Sequence, residues 1–312
     1  QELWIWLQQN PEESLGKHGR GFTVYTTCPD SAVLERTKDS QWIFVEFRVA
    51  GQENQTKEYI EQVRSKGYPL VTIEVPEKEK SFIPQVVSYG WMKFVAAVGA
   101  LWGINFSDQP PVEEYKKLMR EKQLQLDDAV IPAGNAVVKD KDMTLVYDGL
   151  LPFLTSEQQK ELERLKSKKI SVSAVYLKLL EMTRSKLDAQ VLAYYDDTSP
   201  EVEKILEEIS QKVLHKKLGY AAKWGEGTGV LHGLFVNWYS GPLHQIPVHI
   251  VATRHEQPSP SYPDGAQILK EGAVAAHRSL VQAKRPSVML IIHGRLDQEQ
   301  TILSRFFEEI DT

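Results

Sequence analysis

The run Val288-Met-Leu-Ile-Ile292 has no polar face at all. A strand that is apolar on both sides must be covered on both sides, the usual condition of a parallel sheet flanked by helices. Strand-like runs recur at residues 42–49, 69–75, 189–195 and 248–252. Helical patterns separate or follow them near 57–65, from about residue 83, and at 200–214, 266–282 and 298–309. Alternation of this kind implies β-α-β units. The chain is therefore expected to adopt a doubly wound α/β fold with a mainly five-stranded parallel sheet.

Residues 118–186 interrupt the alternation. They hold a charged helical run at 156–169 and one strand-like stretch at 143–147, and they read as a helical insertion or cap. The expected division is a linker helix with its following loop (1–22), the first part of the main domain (23–117), the insertion (118–186) and the rest of the main domain (187–312). No repeat of fixed period and no heptad array is present, which excludes solenoid and coiled-coil architectures.

Lys and Arg number 37 against 42 for Asp and Glu, a net charge of -5. This balance gives no general attraction to nucleic acid or to an anionic membrane. Apolar residues around 94–101 are soon followed by Asn105, Ser107 and Asp108, far short of the roughly 20 residues of a membrane span. Cys28 is the one cysteine, so neither an internal disulfide nor a thiolate metal cluster can form, and a reducing cytoplasm fits best. His244 and His249 lack a carboxylate or cysteine at metal-ligand spacing, so neither a metal site nor a cofactor is expected. The opening Gln-Glu-Leu-Trp has no initiator methionine and no basic leader, and the chain is expected to be a piece of a longer protein.

Three segments can carry chemistry. In Gly99-Ala-Leu-Trp-Gly-Ile-Asn-Phe-Ser-Asp-Gln-Pro-Pro-Val-Glu-Glu-Tyr-Lys116, an apolar helix ends and a second begins near Pro110-Pro111. Proline suits a first helical turn, and Glu113 and Glu114 suit its positive end. Gln109 then sits at the helix mouth, with Lys116 two turns on, about 10 Å away and on roughly the same side. Spacing alone favours the plainer reading, a solvated helix start with a surface lysine. In Gln8-Gln-Asn-Pro-Glu-Glu-Ser-Leu-Gly-Lys17, a carboxylate pair precedes a glycine turn, and Glu13 by itself reads as a solvated acid. Gly225-Glu-Gly-Thr-Gly-Val-Leu-His232-Gly reads either as a phosphate-cradling glycine loop or as a histidine near a helix start. The expected absence of an apolar strand before it weakens the nucleotide reading.

The first segment closely resembles the signature of phosphoglucose isomerases, in which Gly-x-Leu-Leu-Gly-Ile-Asn leads into Asp-Gln-x-Gly-Val-Glu-x-x-Lys. Ser107 replaces the usual aromatic residue and Pro111 the usual glycine. The second segment resembles the family's Glu-Ser-x-Gly-Lys. In the third, Leu231-His232 precedes Gly241-Pro242 as Leu-His precedes Gly-Gly-Pro in the family, with Val236 where glutamine is usual. The nearest likeness is to the divergent isomerases found alone or fused behind a transaldolase.

The resemblance implies a sugar-isomerase (SIS) fold and interconversion of glucose 6-phosphate and fructose 6-phosphate through a cis-enediolate. It assigns Glu13 as the base between C1 and C2, Gln109 as a substrate contact, and Lys116 and His232 as helpers in ring opening. It also implies a homodimer in which His232 is donated by the neighbouring subunit. The family's first SIS subdomain, with its phosphate loop and its Gly-Gly-Arg, is expected to be missing, since no Gly-Gly pair occurs. A non-catalytic SIS module that binds or senses sugar phosphates, or serves dimerisation, stays open beside the enzyme reading.

Overall fold

The computed structural model describes residues 2–26, 28–36, 42–52, 56–108, 110–121, 136–168, 170–195, 200–253, 265–294 and 296–311. The first part of the chain contains α1 (Glu2–Leu15), α2 (Ser31–Arg36), β1 (Phe44–Val49), α3 (Lys57–Ser65) and β2 (Leu70–Val75). A 3-10 turn, Glu77–Phe82, then leads into α4 (Ile83–Trp102), and α5 (Pro110–Glu121) follows. The middle holds β3 (Val137–Lys139), β4 (Met143–Val146), α6 (Ser156–Ser167) and α7 (Val172–Thr183). The remainder is β5 (Ala189–Tyr194), α8 (Pro200–Glu208) with its π-helical continuation Ile209–Lys217, β6 (Ala221–Glu226), α9 (Gly227–Ser240), β7 (Gln245–Ala252), α10 (Gly265–Gln282), β8 (Val288–Ile292) and α11 (Leu296–Asp311).

The fold is α/β, built on a six-stranded sheet in the order β3-β4-β8-β7-β5-β6. Strands β8, β7, β5 and β6 are parallel, with Leu192 opposite Val248 and Val248 opposite Val288. All residues of β5, β7 and β8 are buried. Alternation along β5 divides the core into two layers. Leu192 and Tyr194 face a layer that contains Tyr176 of α7, Leu206 of α8 and Phe306 and Phe307 of α11. Val191 and Ala193 face the opposite layer, formed by Tyr115 of α5, Phe235 of α9 and Ala276 of α10. Helices on both faces explain why these strands need no polar side.

The expectation of one five-stranded parallel sheet is corrected in three places. The runs at 42–49 and 69–75 form a separate two-stranded parallel sheet, β1-β2. Their sequences explain this: Glu46, Arg48, Thr72 and Glu74 alternate with apolar residues, a pattern for strands with one apolar face rather than two. Strand β6 is hidden in the sequence by Lys223 and Gly225, yet it runs into the glycine-rich segment at 225–229, its last residues being Gly225 and Glu226. Finally, residues expected to form an insertion supply β4, which pairs antiparallel with β8, and β3, which pairs antiparallel with β4.

Around β1-β2 the covering is uneven. Phe44 packs edge-on against Tyr59 of α3 and against Tyr68. Val45, Val71 and Ile73, on the other face, are exposed. Helix α4 is apolar around most of its circumference, but Tyr89 is 60% and Leu101 83% exposed. It stops where Gly103 takes a left-handed conformation (φ 66°) and the Ile104 N–H donates to the Gly99 carbonyl. That stop delivers the chain into the loop before α5. No helix among the described residues is long and apolar enough to cross a membrane.

His249 of β7 lies inside the core, its Nδ1 2.9 Å from the Tyr195 hydroxyl. Burial, aided by neighbouring His277, holds its imidazole well below the usual histidine range. Burial also lowers His215, whose Nε2 accepts from the Ala222 N–H. The unfolded chain therefore binds protons that these rings resist, so their stabilising contribution is present above about pH 6.5 and is lost as pH falls. Denaturant unfolding is expected to show at least about 1 kcal/mol lower stability at pH 5.5 than at 7.5. His249→Gln should reduce that difference, and an unchanged slope would show that His249 is not a contributor.

Candidate functional site

Helix α1 contains Pro11, which removes the N–H that would serve the Leu7 carbonyl. The indole Nε1–H of Trp91 in α4 takes that place at 2.9 Å. Near its end α1 lies close against α9. A Cβ on Gly16 would come within 2.5 Å of the Asn237 backbone, so only glycine fits there. Earlier in the helix, Gln9 donates to the Gly229 carbonyl at 3.0 Å, and Gly233 leaves room for the Gln9 side chain. After α1 the chain turns through His18 and Gly19, both at positive φ, and the Gly19 N–H donates to the Ser240 carbonyl at the far end of α9.

The adjacent acids Glu12 and Glu13 have different surroundings. Glu12 is fully buried. Its Oε1 accepts from Lys223 Nζ of β6 at 2.5 Å and from the Val24 N–H at 2.8 Å. Lys223 also donates to the Val24 carbonyl at 3.1 Å and lies 5.5 Å from the centre of the Tyr25 ring. Burial raises the Glu12 carboxyl, opposed by Lys223, and burial lowers Lys223, opposed by Glu12. In both groups desolvation outweighs the attraction, as is common for an ion pair removed from water.

Glu13 is partly exposed, and its charge is felt by Lys17, just past the end of α1, and by Tyr115 of α5. Lys17 is buried, and its ammonium group donates to the backbone carbonyls of Asn105, at 2.6 Å, and of Asp108. Burial lowers its pKa, while Asp108 and Glu13 act in the opposite direction. Tyr115 in turn packs edge-on against Phe235 of α9, with centroids 4.8 Å apart. The end of α1, the loop at 103–108, α5 and α9 thus come together at one place.

The residues expected from sequence have different surroundings. Glu13 is in this junction. Gln109 lies outside the described residues. Lys116 follows the buried Tyr115 and is half-exposed, with its Nζ 3.9 Å from Glu113 of the same helix. His232 is exposed on the second turn of α9, while its neighbours Leu231 and Gly233 are buried. Sequence reasoning missed Glu12, Lys17, Tyr115 and Lys223. Helical spacing could not have signalled Lys17, which lies beyond the end of α1 at Leu15. Nothing in the sequence distinguished Glu12 as the inward acid.

A second cluster has the residue types of a hydrolytic triad. Ser287 Oγ lies 2.7 Å from His277 Nδ1, and His277 Nε2 lies 2.8 Å from Asp148 Oδ1. Ser287 has no exposed surface, and Gly149 packs so tightly on it that a Cβ there would meet the Ser287 carbonyl at 2.5 Å. An acyl substrate has no approach to that hydroxyl. The cluster joins α10 to the chain just before β8 and just after β4, and its role is structural. Among the described residues no group of three or more His, Cys, Asp or Glu side chains is arranged to hold a metal ion.

No protein-family model matches the chain, and no curated protein matches it. Among solved structures, the crystal structure of a hypothetical protein from Thermus thermophilus is similar at 13% identity, with a TM-score of 0.37. The match covers 88% of this chain and 57% of that one, so this chain spans a little over half the length of that protein.

The buried Glu12–Lys223 pair gives a stability test. Lys223→Met strands a buried carboxylate and is expected to cost about 3–5 kcal/mol at neutral pH. Because the stranded acid has a raised pKa, the loss should shrink as pH falls toward about 4.5. The double variant Glu12→Gln/Lys223→Met keeps an acceptor for the Val24 N–H and should recover much of the loss in denaturant unfolding. A double variant as unstable as Lys223→Met alone would show that the charge of Glu12 is not what makes the pair necessary.

Proposed function

We propose that this chain is the C-terminal half of an aldose-ketose isomerase of the phosphoglucose isomerase type, on a SIS fold, with Glu13 as its base. The observation that supports this best is the meeting of three separately recognised segments. Glu13 at the end of α1 sits beside α5, which follows the Asp-Gln segment, and α9, which bears His232, packs against both α1 and α5.

In this reading Glu13 takes a proton from C2 of the open-chain sugar and returns it to C1. A carbon acid next to a carbonyl needs such a base, and a positioned carboxylate contributes about 10²–10⁴-fold. The partial exposure of Glu13 suits this role better than the full burial of Glu12, which is held by Lys223 and Val24. Lys116 and His232 would open the pyranose ring. His232 points away from the core of its own chain, as it would if a neighbouring subunit used it in a homodimer. Gln109 would contact the sugar.

The reading also calls for a further SIS domain that supplies the phosphate loop and the arginine. The exposed apolar faces of α4 and β1-β2 support it, because an apolar helix and a parallel sheet are normally covered. The complete enzyme would work in the cytoplasm without a cofactor. A dimerisation module without catalysis is the second reading, and the same uncovered surface favours it.

An isomerase assay on the complete protein separates the two. Glu13→Gln is expected to lower kcat by at least about 10²-fold with little change in KM, while the isolated chain turns over little substrate. Equal rates for the variant and the parent would rule out Glu13 as the base, and full activity of the isolated chain would rule out the need for a second domain.

A further inference from the structure

We propose that Lys17 is a positioning residue of this site, holding the loop at 105–108 against the end of α1 and placing a fixed positive charge beside Glu13. The inference rests on the reading of Glu13 as the base.

A lysine is rarely buried without partners that compensate its charge and its three donors. At Lys17 two of those donors go to main-chain carbonyls 88 and 91 residues away, those of Asn105 and Asp108. Carbonyls bring no countercharge, so these bonds define geometry rather than neutralise the ammonium. The loop is also folded on itself, with Asn105 Oδ1 accepting from the Ser107 hydroxyl at 2.8 Å and from its N–H at 3.2 Å. Lys17 closes this small unit from outside, immediately before α5. An apolar side chain of similar length would fill the space but bind neither carbonyl.

Among the described residues, two charged groups act on Lys17. From α1 there is Glu13, and from the loop Asp108. From α5, Tyr115 feels the Glu13 charge in turn. A cation in this position favours the ionised form of Glu13, the form a base needs. One side chain thus links the backbone that leads to Gln109 with the charge state of the acid that would move the proton.

Two measurements that need no turnover test this. Amide exchange over residues 103–108 reports the loop, and carbon NMR of labelled glutamate, assigned with Glu13→Gln, reports the Glu13 titration. Lys17→Met is expected to speed loop exchange at least about tenfold and to move the Glu13 midpoint upward, while protection of β5 and β7 is kept. Lys17→Arg, which keeps the charge, should return the midpoint toward that of the parent. Lys17→Gln keeps a donor without the charge, so its midpoint should rise with less loosening of the loop, which preserves the test if the methionine variant fails to fold. Unchanged loop exchange, or a midpoint that stays put in the uncharged variants, overturns the inference. Since neither readout depends on isomerase activity, its failure is distinct from a failed assay of the proposed function.

Discussion

The contact between Glu12 and Lys223 determines how the N-terminal helix sits on the rest of the molecule. It joins α1 to the edge strand β6 through a fully buried carboxylate, and both partners also engage the backbone of Val24. Each charge is costly away from water, so the pair adds less stability than its short distance suggests. Its effect is directional. Rotation of α1 would separate the charges, and with Glu12 fixed inward, Glu13 at the next position is held toward the junction of the 103–108 loop with α5. The close approach at Gly16 and the Gln9 bond to α9 restrict the same rotation.

The molecule is otherwise covered unequally. The six-stranded sheet has a full layer of helices on each face, and its central strands are buried throughout. The two-stranded sheet β1-β2 and, separately, helix α4 keep many of their large apolar side chains in contact with solvent. Helix α4 nevertheless belongs to the site's framework, because Trp91 completes the hydrogen bonding of α1 and Gly103 aims the chain into the loop that Lys17 holds. The exposed apolar surface and the proposed site thus share one element, α4.

Much of the central sheet was legible in the sequence because parallel strands buried on both faces leave continuous apolar runs, as at 189–194 and 288–292. Strand β6 was not, since Lys223 interrupts its run for the sake of a partner, Glu12, that lies 211 residues away. Placing 42–49 and 69–75 in the main sheet overlooked the alternation at Glu46, Arg48, Thr72 and Glu74, which belongs to strands with one polar face rather than strands buried on both. For the site, motif likeness singled out Glu13, Lys116 and His232, yet it was silent on which of two neighbouring acids turns inward. That choice is made by Lys223 and Val24, and long-range contacts of this kind leave no local pattern. Lys17 was no more visible, since it lies beyond the end of α1 and grips two distant carbonyls.

The central claim is that Glu13 moves a proton between adjacent carbons of a sugar phosphate. It is tested most directly by incubating fructose 6-phosphate with the complete protein in deuterium oxide and locating the label in the product. The account predicts glucose 6-phosphate carrying deuterium at C2, with incorporation lost when Glu13 is replaced by glutamine. Product formed without any solvent deuterium, or labelling that persists in that variant, would contradict it.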